Sequence, residues 1–289
     1  MLFVMLLTLP LLFVGIINKL KARFVGKRGA SIYQPYYDFT KLLKKGEVIS
    51  NTTSLIFRLA PSVNLACVIL AGLLLTVCHF NGDFILFSYV LALGKFFTVV
   101  AAMDTGSSFE GMGASREVSY TSFVEPAFFV LISSIAALNG IFSFESLFGL
   151  MQSNSEILIL VSVLVIFDIF LMILIEGSRI PIDDPKTHLE LTMIHEVMVL
   201  DNSGVDLAFI HYASAMKMML FATLIALIVN PQWWVYFLIL LVIACLIAVI
   251  ETLCARIRLT HIIEYTFTMI SIALIAMSLI LLFMHGGNL

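Results

Sequence analysis

Composition, run length and charge placement together predict an all-α, polytopic membrane helical bundle of about eight transmembrane helices, with an amphipathic interfacial helix in its first long loop. Of 289 residues, 61% are hydrophobic and only 12% charged, with a mean hydropathy of +1.08; globular domains carry roughly 25% charged residues. The apolar residues fall in continuous runs of about 20, the length that crosses a hydrocarbon core, and not in the ~10-residue alternating segments of a barrel. Lysine and arginine collect in alternate loops. No internal repeat is visible, so one integral membrane domain, 1–289, is expected. A formal net charge of -3 on such a chain points to the lipid bilayer and to no nucleic acid.

The runs place spans near 1–17, 62–80, 84–103, 119–142, 157–175, 207–229, 232–253 and 264–284. Lys19, Lys21, Arg23, Lys27, Arg28, Lys41, Lys44, Lys45 and Arg58 sit between the first two spans. Arg116, Arg179, Lys186, Arg256 and Arg258 fall in alternate later loops, while loops 81–83, 143–156 and 230–231 carry none. By the positive-inside rule the basic loops face the cytoplasm and both termini lie on the outer side. The first span has its positive charges behind it, the reverse of a signal peptide, and is expected to stay as a helix.

In the first inner loop, Tyr36 to Leu43 forms a short helix with Tyr36, Phe39, Leu42 and Leu43 on one side and Lys41, Lys44 and Lys45 toward the headgroups. Such a helix lies in the interface plane. Two uses stay open: an anchor on anionic lipid, or a surface where a partner docks or an amphipathic substrate enters.

Residues 104–126, DTGSSFEGMGASREVSYTSFVEP, read as a Gly/Ser-rich loop over 104–118 that enters a span and carries Glu125 to about its seventh residue. A carboxylate there is expensive and marks function. Pro126 frees a carbonyl one turn back and lets the helix bend, which suits a hydrated relay. Asp168 lies at the centre of the fifth span and Glu176 at its inner end, ~80° apart around the helix, so both can face one path. Lys95, Lys217 and Glu251 complete the set. Lys95 either snorkels inward or pairs; Lys217 needs an acid partner among Glu125, Asp168 and Glu251. Acids and lysines in such a series can pass a proton and respond to charge placed at one end.

The third inner loop concentrates Glu176, Asp183, Asp184, Glu190, Glu196, Asp201 and Asp206 against Arg179 and Lys186. It is either a solvated acidic face or a proton-loading antechamber under a docked subunit. His188, His195 and Glu196 lack the His-x-x-x-His pairing of a metal site. Cys67, Cys78, Cys245 and Cys254 show no Cys-x-x-Cys spacing and are expected as buried thiols. His79 and His211 fall near opposite faces, so no haem pair forms and no redox centre is expected in this chain.

These residues resemble a known family. Arg28-Gly29 and QPxYDxxKLL (Gln34, Pro35, Tyr37, Asp38), IFRLAP at 56–61, DTGSSFEGMGASRE with VEP at 104–126, ExxRIPxD at 176–183 and ExxxARxRL at 251–259 resemble the membrane subunit shared by group 4 nickel–iron hydrogenases of the formate-hydrogenlyase and hydrogenase-4 type and by respiratory complex I. The resemblance covers nearly the whole chain, and DTGSSF and GASRE point to the hydrogenase branch. It implies an eight-helix, cofactor-free, non-catalytic subunit of an oxidoreductase complex in a prokaryotic cytoplasmic membrane. Its partners would be cytoplasmic hydrogenase-like large and small subunits carrying NiFe and iron–sulfur clusters, and antiporter-like membrane subunits that pump protons or Na⁺.

By matching position, Glu125, Glu176, Arg179, Asp183, Glu190 and Asp201 fall on the family's charged pathway, and Lys217 matches a lysine of the hydrogenase branch; Arg116 and Glu117 read as the inner mouth of the span that carries Glu125. Gln34, Tyr37, Asp38 and Lys41 belong to the interfacial docking helix. In complex I the family also forms part of a quinone chamber. Here Lys186 and His188 stand where complex I has further glutamates, which favours an arm reducing protons or another acceptor. Three readings therefore stand: a coupling subunit, a quinone-reactive subunit, and a purely structural anchor.

Overall fold

A computed structural model describes residues 1–46, 48–50, 52–139, 143–148, 156–183, 194–230 and 232–286. Every regular element among them is helical. Seven helices among the described residues are long and apolar enough to cross a membrane, and a bent N-terminal pair brings the count to eight if it forms one span. The chain is a multi-pass membrane protein.

The first span breaks where continuity was expected. Helix α1 (Leu2–Thr8) meets α2 (Pro10–Phe24) at 58°. Pro10 has no N–H to continue α1 and instead opens α2, where its fixed φ suits the first turn. The carbonyls freed at the break are not left bare in an apolar setting: the Tyr36 hydroxyl donates to Thr8 O, and the Tyr212 hydroxyl donates to Leu7 O.

Beyond α2 the chain doubles back at Gly26 (φ +74°), and the Lys19 ammonium donates to the carbonyls of Gly29 and Ala30 at 3.0 and 3.2 Å. The interfacial helix α3 runs Gln34–Leu43. Pro35, Tyr36, Phe39 and Leu42 are half-buried and Lys41, Lys44 and Lys45 exposed, the amphipathic split the sequence predicts. Phe39 packs on Tyr212 with ring centroids 5.3 Å apart. Leu43, expected on the apolar side, is exposed in the last turn.

The remaining spans are α4 (Leu55–Thr76), α5 (Asp83–Asp104), α6 (Ser108–Asn139), α7 (Glu156–Glu176), α9 (Gly204–Val229), α10 (Trp233–Leu253) and α11 (Leu259–Gly286); α8 (His195–Met198) is a single turn. Helix α9 is buried along nearly its whole length and packs against α2, α3, α4, α7 and α10, so its side chains form the axis of the bundle. Phe87, Phe128, Phe144 and Phe221 interlock around it with centroids 5.1–6.3 Å apart. At the end away from the basic loops, buried Asp83 accepts from the Ser143 hydroxyl and the Phe144 N–H, each at 2.9 Å, and so pins the segment after α6.

The expected 104–118 loop is mostly helix. Only Thr105–Ser107 separates α5 from α6, turning at Gly106 (φ +69°). Of the glycines that suggested a loop, Gly113 serves packing: a Cβ there would lie 2.9 Å from the Ile194 carbonyl oxygen and 3.0 Å from Met198, so α6 and α8 approach as closely as they do because no side chain intervenes. Helix α6 also continues through Pro126. Replacing Gly113 by valine is expected to lower stability by about 1–3 kcal/mol through overpacking, read as an earlier thermal transition of the detergent-solubilised protein; an unchanged transition would contradict the close approach.

Candidate functional site

Four spans converge on one group of charges. Gly94 lets α5 lie close against Asn64 and Cys67 of α4, and the next residue, Lys95, points into the bundle. Its ammonium donates to Glu176 Oε1 at the end of α7 and lies 3.3 Å from Glu117 Oε1 on α6. Lys217 of α9 approaches the other Glu176 oxygen at 3.9 Å. These side chains are 10–15% exposed. Glu125, two turns along α6 from Glu117, shares with Lys95 and Glu176 the wall of a ≈30 Å³ cavity, enough for a water molecule.

The partner of Lys217 is thus Glu176, not Glu125, Asp168 or Glu251 as the sequence suggested. The reason lies in the crossing of α7 and α9: a Cβ at Gly177 would sit 3.1 Å from the Met218 sulfur, which sets Glu176 beside Lys217. Lys95 pairs; it does not snorkel. Because α6 starts at Ser108, Glu125 lies 17 residues, ~25 Å, from the start of its helix.

Glu251 belongs to a second group. Its carboxylate, 3% exposed, accepts from Lys21 at 2.9 Å and Arg179 at 3.1 Å, tying α10 to α2 and to the turn after α7. Nothing in the sequence separates Lys21 from the other basic residues of its loop.

Asp183 holds a third. One of its oxygens accepts from the backbone N–H groups of Ile194 and His195 at 3.1 and 2.9 Å, and the other lies 3.4 Å from Arg256. It thereby joins both ends of the segment 184–193. Glu190, with Asp184, Lys186 and His188, falls outside the described residues. The Asp201 N–H donates to Glu110 Oε1 at 3.0 Å; Glu110 is fully buried and was hidden in the supposed loop. Arg116 and Arg256 are charge neighbours of Tyr120.

Asp168 stands apart. It is fully buried and neither oxygen has a hydrogen-bond partner among the described residues. Its charge neighbour is Tyr265, whose hydroxyl donates to Leu171 O at 3.2 Å. An unpartnered buried carboxyl opposes folding, so Asp168→Leu is expected to leave stability unchanged or raise it by about 1 kcal/mol; a clear drop in the thermal transition would show that the carboxyl is held by a partner.

Toward the basic end a ≈400 Å³ cavity lies between α2, α3 and α9. Leu11, Phe39 and Met218 give it an apolar wall, and Asp38, Arg179, His195, Glu196 and His211 a polar one. His195 borders both this cavity and the charge cluster, being a charge neighbour of Glu176 and of His211. The sequence offered His195 only as a candidate metal ligand. Its bridging place depends on the α8 turn, which no spacing announces. Of the α3 residues, Asp38 faces the cavity and accepts from Gln34 at 2.9 Å, while Tyr37 (62% exposed) and Lys41 face outward. His79 sits at the opposite end, 3.9 Å from Asp83. Cys67 is buried, but Cys78 and Cys254, expected as buried, are exposed at the ends of α4 and α10.

The architecture and sequence have known counterparts. The chain is 33% identical over 236 residues to hydrogenase-4 component C of Escherichia coli (strain K12), covering 79% of this chain and 73% of that one. It is 34% identical over 118 residues to formate hydrogenlyase subunit 4 of the same organism, covering 39% and 38% of the two chains. Its fold matches a chain of the membrane-bound sulfane sulfur reductase, an archaeal respiratory membrane complex, with a TM-score of 0.82, 20% identity and 96% of each chain covered. The sequence profile of the NADH dehydrogenase family matches residues 1–282, nearly the full length, and the chain belongs to that family.

Proposed function

We propose that this chain is the membrane-anchor and coupling subunit of a hydrogenase or formate-hydrogenlyase type complex, linking a redox arm to translocation of protons or Na⁺. The observation that carries the reading is the cluster of Lys95, Glu117, Glu125, Glu176 and Lys217, drawn from four helices at membrane depth. Charges there are costly and are kept for ion paths. Similarity to hydrogenase-4 component C and formate hydrogenlyase subunit 4 supplies the kind of complex.

In this reading the basic end faces a prokaryotic cytoplasm, with both termini outside. Hydrogenase-like large and small subunits, bearing the NiFe and iron–sulfur groups, rest on α3 and the segment after Asp183; antiporter-like subunits lie beside the bundle. Redox change in the arm moves charge near Glu190 and Asp201. Asp183 is tied to His195 through its hydrogen bonds from the Ile194 and His195 N–H groups, so a change at Asp183 reaches that histidine. His195 hands a proton from the cavity to Glu176, the Lys95 and Lys217 ammoniums set how readily Glu176 keeps it, and Glu125 receives it through the small cavity. Glu251 and Asp168 hold structure or sit off this route.

The test is Glu125→Gln in inverted vesicles: electron transfer is expected to continue while ion uptake falls at least tenfold. Undiminished uptake contradicts the reading. A second reading, a quinone-reactive subunit, draws on the ≈400 Å³ cavity behind the amphipathic helix, a size and polarity suited to a lipophilic headgroup. Met218→Trp, which fills the cavity, would then stop turnover with a quinone acceptor and spare turnover with a soluble one.

A further inference from the structure

We propose that Asn64 is a positioning residue for Lys217: its side-chain carbonyl receives the Lys217 ammonium, directly or through one water, whenever Glu176 takes up a proton. The inference deepens the proposed function and rests on it in one respect: Glu176 carries the proton.

Asn64 lies on the buried face of α4, one turn before Cys67. A Cβ at Gly94 of α5 would be 2.9 Å from the Asn64 Oδ1 and 3.1 Å from the Cys67 Cβ, so both side chains sit against the backbone just before Lys95. Cys67 is in turn a charge neighbour of Lys217 on α9. Helices α4 and α9 pack directly, through Val68, Ala213 and Met216. Asn64 thus stands where α4 and α5 border the charge cluster.

Two complementary needs meet there. Asn64 is 4% exposed, and its Oδ1 has no hydrogen-bond donor among the described residues. It alone of the residues buried on α4 carries an amide or a hydroxyl. Leucine would fill nearly the same space against Gly94 without burying an unpaired carbonyl, so packing does not account for the amide. Lys217 has three donors, and it makes no hydrogen bond with any described residue; its ion-pair partner, Glu176 Oε2, is 3.9 Å away.

Protonation of Glu176 turns that loose pairing into a deficit. Lys95 then still faces Glu117 at 3.3 Å, whereas Lys217 loses its anion. A buried ammonium without an acceptor is costly, and that cost would oppose proton uptake at Glu176. The Asn64 carbonyl offsets it. Being neutral, it holds the ammonium more weakly than a carboxylate does, so Lys217 returns once Glu176 has passed its proton on. An aspartate in the same place would keep the ammonium permanently.

The structure of the whole assembly carrying Glu176→Gln, a neutral isostere of the protonated acid, tests this by electron cryo-microscopy. The Lys217 ammonium is expected within hydrogen-bond distance of Asn64 Oδ1 or joined to it by one water. Finding it in its original place, or turned to Glu117 or Glu125, overturns the proposal. If that variant fails to assemble, Asn64→Leu and Asn64→Ser in inverted vesicles take its place. Ion uptake per electron is expected to fall about tenfold in the first, the worth of one hydrogen bond to a charged group, and less in the second, which keeps an acceptor oxygen. Undiminished uptake in Asn64→Leu, or an equal fall in both, overturns the proposal. The position of Lys217 is read without turnover, so its failure to move strikes the Asn64 seat alone, while a seated Lys217 beside undiminished uptake in Glu125→Gln strikes the coupling reading alone.

Discussion

Lys95→Met is expected to destabilise the protein by about 3–5 kcal/mol, the cost of removing one partner from a buried ionic group. Lys95 is the cation that faces both Glu176 and Glu117; without it Lys217, 3.9 Å from Glu176, is left to balance the acids. At that magnitude the variant would yield little folded protein at growth temperature. The double variant Lys95→Met/Glu176→Met removes a cation and an anion together and fills the space with apolar side chains. It is expected to recover part of the loss, because one buried pair is replaced as a unit, while Lys217 loses Glu176 and Glu117 loses Lys95. The check is a double-mutant cycle on the thermal transition in detergent; additive effects would show that the two side chains do not interact.

Glu251→Gln should also be costly, by about 2–4 kcal/mol, somewhat less because Lys21 and Arg179 are partly exposed and regain solvent when released. The loss would appear as loosening of α2 from α10, since Lys21–Glu251 ties these two helices directly. Ions moved per electron by the surviving protein are expected to be unchanged, which separates a structural tie from a step on the path. Limited proteolysis near Arg23 and Lys27 would report the loosening; unaltered cleavage would place the tie elsewhere.

The two groups of charges show what was readable beforehand. The spans were legible because a 20-residue apolar run has few other uses, and the interfacial helix because Tyr36, Phe39 and Leu42 recur at helical spacing. The buried ionisable residues were legible for the same reason, each standing out against its run. Their pairing was not. Lys217 meets Glu176 because α7 and α9 touch at Gly177 and Met218, a crossing that no single-helix pattern contains. Lys21 looked like one more basic loop residue, yet it reaches an acid 230 positions away. The 104–118 stretch was misread because glycine signals a turn and a close helix contact alike; only the position of Ile194 over Gly113 distinguishes them. The break at Pro10 was open to inspection, but of the two tyrosines that cover it Tyr212 lies 205 residues beyond Leu7, whose carbonyl it caps.

In the proposed route ions pass by way of Glu176, Lys95, Lys217 and Glu125, and not by way of Asp168. Ion uptake per electron, compared in the same inverted vesicles for Glu125→Gln and Asp168→Asn, tests it most directly. A collapsed ratio is expected for Glu125→Gln, and a ratio equal to that of the unaltered protein for Asp168→Asn. A preserved ratio in the first, or a collapse in the second alone, would contradict it.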